Sequence, residues 1–241
     1  MVVKMVKSSK KSEKSEQNKE KEEYVNLNFI GNLKNMFIKP SVFFNKIQNE
    51  RFDVSLKLFM AFYMAYVLVS VIINLSQEQI SIYQGIANLI FSSLVALVSV
   101  TLLAYVSFLI GKLFRSKKGF FNSFKPVAYT LILWVIYSFI NLLFFYLVPF
   151  DNSMFQALQV SQDASVIKEA YISFLKQPGA IINTIILIIS LIHIIIFNSK
   201  GIEKLQEISK GKSFAVVIIS WFVFLLIIVL LMLLMIMSSL S

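Results

Sequence analysis

Five long stretches of apolar residues, none with a charged side chain in its middle, constrain the fold of this sequence more than any other feature. They cover residues 54–75, 86–111, 126–148, 180–197 and 214–237. About 20 apolar residues let a helix cross the roughly 30 Å of hydrocarbon in a bilayer, and each stretch approaches or exceeds that length. A charge at the centre of such a helix costs about 2.5–3.5 kcal/mol, so its absence fits burial in lipid. The sequence therefore predicts an all-α integral membrane protein built on a five-helix transmembrane bundle.

The overall composition agrees with a membrane protein. Hydrophobic residues make up 57% and charged residues 15% of the chain, whereas soluble domains carry about 45–50% and about 25%. The net charge of +10 raises the question of nucleic-acid binding, which needs clustered Lys and Arg. Here the basic residues fall almost wholly between the apolar stretches, as membrane topology requires. We therefore expect no nucleic-acid partner.

The loops between the stretches alternate between rich and poor in Lys and Arg. Eleven of these residues precede the first stretch, none lies in residues 76–85, two lie in 149–179 and four in 198–213. The segment between the second and third stretches holds five and no acid: Lys112, Arg115, Lys117, Lys118 and Lys125. Lys and Arg concentrate in cytoplasmic loops. The pattern thus predicts a multi-pass protein of the cell membrane, with its N-terminus in the cytoplasm and its C-terminus outside.

The first 53 residues divide into two parts ahead of the membrane domain of residues 54–237. Residues 1–24 alternate Lys, Glu, Ser and Gln with few apolar side chains, which predicts a disordered, charged cytoplasmic tail. Residues 25–53 carry apolar residues at helical spacing on both sides of Pro40, which predicts two short amphipathic helices in the headgroup region. The second of these, over residues 41–50, would expose Phe43 and Phe44 for contact with lipid or a partner. The alternative is that these side chains cap the cytoplasmic end of the bundle.

A further helix is predicted in the loop between the third and fourth stretches. Ile167, Ala170, Tyr171 and Phe174 repeat at helical spacing ahead of Pro178, which places an apolar stripe on one face. We expect this helix on the outer surface or over the mouth of the bundle.

Residue patterns typical of catalysis or metal binding are missing from the sequence. The chain has no Cys, which excludes disulfides, thiol catalysis and Cys-ligated metals. It also lacks glycine-rich nucleotide loops, metalloprotease helices and nucleophile elbows. We therefore expect no enzyme activity, no catalytic residue, no metal and no cofactor.

Three polar residues inside or near the ends of the stretches are candidates for a role within the membrane: His193, Asn141 and Asn183. Hydrogen bonds between helices are the ordinary use of such groups, and we expect a neutral His193 to bond to a hydroxyl or amide of another helix. The alternative is a small transporter or channel-type bundle with a polar pathway near these three residues. Ala61 and Ala65, four residues apart, favour a close helix contact within the chain and leave a homo-oligomer open.

The basic segment 112–125 is the most concentrated charge feature of the membrane domain. Each cation near an anionic leaflet contributes about 1 kcal/mol, so this segment is suited to anionic lipid headgroups or to an acidic protein partner at the cytoplasmic face. The alternative is that it sets the topology and does nothing else.

Three segments resemble the Yip domain family of multi-span membrane proteins. Pro40-Ser41-Val42-Phe43-Phe44 is similar to the family's Pro-x-x-Phe-Phe segment. Residues 119–129, GFFNSFKPVAY, are similar to the segment that leads into its third span, with Lys125 and Tyr129 at the expected places. Residues 201–214, GIEKLQEISKGKSF, are similar to the cytoplasmic loop before its last span.

Eukaryotic members of that family bind Ypt/Rab-type GTPases and act in vesicle traffic. Their Asp-Leu-Tyr-Gly-Pro segment has no counterpart ahead of the first stretch here, so the resemblance is to the prokaryotic-type branch. It implies five spans with a cytoplasmic N-terminus. It also implies a non-enzymatic role in organising or shaping the membrane, or in scaffolding partners at the cytoplasmic face.

Overall fold

The computed structural model describes residues 29–77, 79–148 and 164–240, and within this part of the chain every regular element is a helix. The tail predicted over residues 1–24 lies outside the described residues. The chain divides into two compact units, Met1–Ile47 and Gln48–Ser241. The fold class predicted from the apolar stretches is confirmed.

From residue 29 onwards the first unit contains two short helices, α1 (Phe29–Ile38) and α2 (Pro40–Lys46). Pro40 separates them because its ring disfavours helical backbone at the preceding residue, and Lys39 accordingly has φ −136° and ψ 66°. Proline fits the first turn of a helix, where its missing N–H would have no partner anyway. Helix α2 ends four residues before the predicted end at residue 50. Phe43 and Phe44 are buried, with ring centroids 5.2 Å apart.

The second unit contains the five long helices. They are α3 (Phe52–Ser76), α4 (Ile82–Leu113), α5 (Phe121–Leu147), α7 (Pro178–Gln206) and α8 (Lys210–Leu240). All five are long and apolar enough to cross a membrane, as predicted. The short α6 (Ala164–Leu175) confirms the helix expected before Pro178.

The main difference from the sequence prediction is that α7 continues for nine residues beyond the predicted end at residue 197. Hydropathy marks the part of a helix that suits lipid and does not mark where the helix ends. Lys200, Glu203 and Lys204 are good helix formers, and Lys200 donates to Glu203 at 2.9 Å one turn away. As a result the predicted loop 198–213 shrinks to three residues, 207–209, between α7 and α8.

Helix α5 lies at the centre of the packing, against α3, α4 and α7, while α8 packs against α4 and α7. One end of this unit is where α3, α5 and α8 begin and α4 and α7 end; we call it the basic end, and the opposite end the distal end. A buried apolar cluster lies near the basic end, formed by Val106, Ile110, Ile202, Ile208, Val216 and Val217. Towards the distal end α8 exposes its apolar side chains, such as Leu230 and Leu234. Burial is thus deepest near the basic end.

The α3–α4 connection depends on one close approach. Ser81 caps α4 through a capping box, because its hydroxyl accepts from the Gln84 N–H at 3.3 Å and its own N–H donates to Gln84 Oε1 at 2.8 Å. The next residue, Gly85, is buried against α3, and a Cβ atom there would lie 2.9 Å from Val71 Cγ1. Valine has little freedom at χ1 to move away. The lack of a side chain at Gly85 therefore lets the two helices meet.

We expect Gly85→Leu to destabilise the protein by about 1–3 kcal/mol, since overpacking a close helix contact forces backbone or rotamer shifts. Thermal unfolding in detergent, followed by circular dichroism, measures the effect. Gly211→Leu is the matched control, because Gly211 also lies in the first turn of a helix but has open space around its Cβ position. Equal melting temperatures for the two variants would contradict this account of Gly85.

Candidate functional site

The loop between α4 and α5 begins with a helix end of defined geometry. Helix α4 ends in a Schellman arrangement, in which the N–H of Arg115 donates to the Lys112 carbonyl at 2.9 Å and the N–H of Ser116 to the Gly111 carbonyl at 3.0 Å. This requires left-handed backbone at Arg115, where φ is +70°. Glycine is the usual residue there, and another L-residue costs about 1–2 kcal/mol. The loop thus carries a charged side chain at a position whose backbone conformation favours glycine.

A buried polar network holds this loop to the end of α7. The Ser116 hydroxyl donates to the Gln206 carbonyl at 3.1 Å and also hydrogen bonds to Gln206 Oε1. The Gln206 amide nitrogen donates to the hydroxyl of Ser123 in the first turn of α5. All three residues are at most 5% exposed. We call Ser116, Ser123 and Gln206 the Gln206 network; it joins the ends of three spans.

A second contact between the same two loops lies on the surface. Glu207 also adopts left-handed backbone, with φ +54°, directly after α7. Its carboxylate accepts from Lys118 Nζ at 2.6 Å. Exposed ion pairs contribute about 0–1 kcal/mol, so this pair orients the loops more than it stabilises them. It also engages one of the five basic residues that the sequence singled out.

The other four basic residues fall into two groups. Lys112, Arg115 and Lys117 are exposed, and Lys112 Nζ lies 5.3 Å from the centre of the Phe108 ring, a distance at which a cation is attracted to the ring face. Lys125 instead lies inside α5, is only 5% exposed and donates to the Gln48 carbonyl at 2.9 Å. In this structure Lys125 is therefore not presented to lipid headgroups.

Glu50 is a site residue that the sequence analysis did not find. Its carboxylate accepts a hydrogen bond from the Tyr129 hydroxyl, with both oxygens at 2.8 Å. Burial raises the pKa of Glu50, and the Tyr129 hydrogen bond and the Lys125 ammonium oppose that rise only in part, while Asp53 adds to it. The resemblance had named Lys125 and Tyr129 but not their partners, which lie 77 and 79 residues away in the chain.

An aromatic cluster surrounds the start of α5 at the basic end. The ring of Phe52 lies 4.8 Å from that of Phe121 and 4.7 Å from that of Phe124, and the ring of Phe120 lies 6.1 Å from that of Phe108. Such ring pairs are worth about 0.5–1.5 kcal/mol beyond their buried area. Phe121 stays exposed at the edge of this cluster, so the loop carries apolar and cationic side chains next to each other.

Phe43 and Phe44, the two remaining contact candidates from the sequence, are 2% and 0% exposed. They belong to the first unit. In this structure neither ring is available for insertion into a membrane, and the proposal below does not use them.

The three intramembrane polar candidates do not come together at one place. Asn141 and Asn183 line the same cavity of about 420 Å³, between α3, α5 and α7 near the distal end. His193 does not line this cavity; its Nδ1 lies 2.8 Å from the Tyr137 hydroxyl on α5. The expected hydrogen bond of His193 to a hydroxyl on another helix is therefore present. The polar pathway near all three residues is not formed as a single cavity.

Metal-binding geometry is not found in the described part of the chain, where no three His, Asp or Glu residues cluster. Many side chains at the basic end donate or accept hydrogen bonds, but they do so with other residues of this protein. What this end offers to other molecules is a surface of cations beside aromatic rings. Such a surface can attract anions and insert at an interface.

Comparison with known proteins yields one family. The family model for the Yip1 domain matches residues 34–231, most of the chain. No curated protein and no solved structure matches this chain. The matched range includes α3 to α7, most of α8 and the whole of the basic-end surface.

We expect Gln206→Leu to destabilise the protein by about 1–3 kcal/mol, because the hydroxyls of Ser116 and Ser123 would lose a buried partner. Chemical unfolding in mixed micelles measures the loss. Gln79→Leu replaces an exposed side chain in another loop and controls for the change in polarity. A loss no greater than that of the control would show that the network is not stabilising.

A second prediction concerns pH and Glu50. The folded carboxyl holds its proton more tightly than the unfolded one, so the free energy of unfolding should fall as pH rises from the ordinary value of 4.5 through the raised pKa. Glu50→Gln keeps an acceptor for the Tyr129 hydroxyl but removes the pH-dependent contribution of Glu50 to the free energy of unfolding. The stability of the variant relative to wild type should therefore increase with pH, as measured by melting temperatures between about pH 4 and pH 8. The exposed Glu169→Gln is the control; the same trend in both variants would contradict the role of Glu50.

Proposed function

This chain belongs to the Yip1 domain family, and from that premise we propose that it is a non-enzymatic, multi-pass membrane protein that organises or shapes the membrane through its basic end. The contact is with anionic lipid headgroups on the cytoplasmic side of the cell membrane. The orientation follows from the concentration of Lys and Arg at this end, as expected for cytoplasmic loops.

One observation carries the proposal: Lys112 in the last turn of α4, and Arg115 and Lys117 in the short loop after it, are all exposed. Unlike Lys118, none of the three is in an ion pair with a described residue. Lys210 and Lys212 are exposed at the same end, at the start of α8. Each cation near an anionic surface contributes about 1 kcal/mol, within a distance set by the ionic strength.

The loop is held in place before it meets the membrane. The Gln206 network fixes both of its ends, and the Schellman end of α4 fixes the backbone at Arg115. A surface that is already ordered loses less conformational entropy on binding than a disordered one. The neighbouring exposed ring of Phe121 suits the interface, where aromatic side chains concentrate. Cations and ring together would draw anionic lipids around the basic end.

The test is a charge reversal, Lys112→Glu, Arg115→Glu and Lys117→Glu, in proteoliposomes of mixed phosphatidylserine and phosphatidylcholine. The chain has no Cys, so Ser209→Cys, exposed at the same end, gives a unique site for a fluorophore. Energy transfer to labelled phosphatidylserine, relative to labelled phosphatidylcholine, measures enrichment around the protein. We expect wild type to enrich the anionic lipid and the reversal to abolish the enrichment, as high salt should also do.

The control reverses cations at the other end of the bundle, Lys168→Glu and Lys176→Glu, both exposed. These changes should leave the enrichment at the basic end unaltered. Equal enrichment in wild type and in the triple variant would refute the proposal. An acidic protein partner would use the same cations, so pull-downs with both variants in lipid-free detergent test whether a partner joins or replaces the lipid.

A further inference from the structure

Two cavities lie one after the other along the same helix faces. The polar cavity near the distal end is lined from α3, α5 and α7, and a second cavity, of about 450 Å³, is lined mainly by apolar residues from all five long helices. On α5 the lining passes from Trp134 to Ser138, and on α7 from Leu191 to Leu187. Residues four apart share a helix face. The polar cavity therefore continues outward from the apolar one along α5 and α7.

Tyr63 and Tyr66 show the same succession on α3. In each of the three helices the residue lining the polar cavity is the one nearer the distal end. The order is the same although α7 runs opposite to α3 and α5. The polar outer part and the apolar inner part are thus formed by the three helices together and not by one helix.

The polar cavity is lined by uncharged groups that can form hydrogen bonds. The Ser138 hydroxyl already donates to the Trp134 carbonyl at 3.0 Å, and the Thr184 hydroxyl to the Ala180 carbonyl at 2.8 Å. Both hydroxyl oxygens are left as acceptors only. The side-chain oxygens of Asn141 and Asn183 are buried without a partner among the described residues, a state that costs about 1–3 kcal/mol for each group. Each carboxamide also carries two N–H donors, so the two Asn side chains can both donate to and accept from a ligand.

The depth of this cavity fits the headgroup boundary of a bilayer. Asn141 lies six residues before the end of α5 and Asn183 five residues after the start of α7, about 9 Å and 8 Å along the helices. Helix α5 has 27 residues, about 40 Å, and extends past a hydrocarbon core of about 30 Å. The polar cavity therefore lies where lipid headgroups meet acyl chains, and the apolar cavity lies deeper.

We propose that the two cavities together bind one uncharged, hydroxyl-bearing lipid, with its head at Asn141 and Asn183 and an acyl chain beside Trp134 and Trp221. Each volume lies within the range of about 300–1,000 Å³ typical of ligand sites. Among the described residues no charged side chain lines either cavity, so a phosphate there would have no cation to neutralise it. A hydroxyl group can donate to an amide oxygen and accept from an amide N–H, so it matches both functions of the two Asn side chains. The inference uses neither the basic end nor the family, so it can fail independently of the proposed function.

The two Trp residues of the chain both line the apolar cavity, which makes a direct test available. The probe is a diacylglycerol with brominated acyl chains, titrated into phosphatidylcholine nanodiscs that hold the full chain; bromine quenches indole fluorescence on contact. We expect saturable quenching that exceeds the quenching by brominated phosphatidylcholine and by brominated phosphatidic acid at the same mole fraction.

Variants test the two parts of the site separately. Asn141→Leu with Asn183→Leu should weaken the apparent affinity for the brominated diacylglycerol about tenfold, through the loss of two hydrogen-bonding groups. Ser99→Phe should abolish saturable quenching, since Ser99 lines the apolar cavity and the added ring would fill it. Asn88→Leu is the matched control, because Asn88 is exposed on α4 and lines neither cavity.

Three results would overturn the inference. Equal, non-saturating quenching by all three brominated lipids would show ordinary contact with the bilayer, and this comparison needs only the wild-type protein. Displacement of the probe by free glycerol would identify a water-soluble polyol as the ligand. Labelling of Asn141→Cys and Asn183→Cys by aqueous thiol reagents from both sides of the membrane would show a transport pathway.

Discussion

Hydrocarbon offers no partner to a backbone N–H or carbonyl, and every part of this structure depends on that constraint. Only helices and closed barrels satisfy all backbone groups within a bilayer, and here five helices of 25 to 32 residues do so. The same constraint favours ionic side chains at the helix ends. The charged contacts of Glu50, Lys118 and Lys125 all lie at the basic end, where water or headgroups are near.

At the basic end, residues with unfavourable backbone conformations lie next to stabilising hydrogen bonds. Left-handed backbone at Arg115 and Glu207 is unfavourable for L-residues, yet both stand next to members of the Gln206 network. The buried hydrogen bonds of that network, together with the packing of Val106, Ile110 and Ile202, hold the loops in this geometry. Strain of this kind persists only where the surroundings over-determine it. The backbone that carries the exposed cations is therefore held in a defined geometry.

The sequence predicted the parts of this molecule that depend on local pattern. The five spans, the helix before Pro178 and the break at Pro40 follow from periodicity and from the geometry of proline. It did not predict the buried state of Lys125, because the carbonyl that accepts from it belongs to Gln48, 77 residues away in the chain. The Gln206 network joins residues up to 90 positions apart, and neither cavity has a local signature. Asn141 and Asn183 were recognised as unusual from their polarity alone, but which helix faces they share could be learned only from the packing.

The three-residue connection between α7 and α8 has a consequence for how the protein is made. So short a link, with Glu207 in left-handed backbone, leaves the two spans almost no freedom to enter the bilayer one after the other. A chain emerging from the ribosome would instead have to deliver them as a pre-paired hairpin, with the lysines that flank the link, Lys204 and Lys210, retained on the side of synthesis. The insertion of α7 and α8 would then be cooperative, committing both spans to the bilayer in a single event.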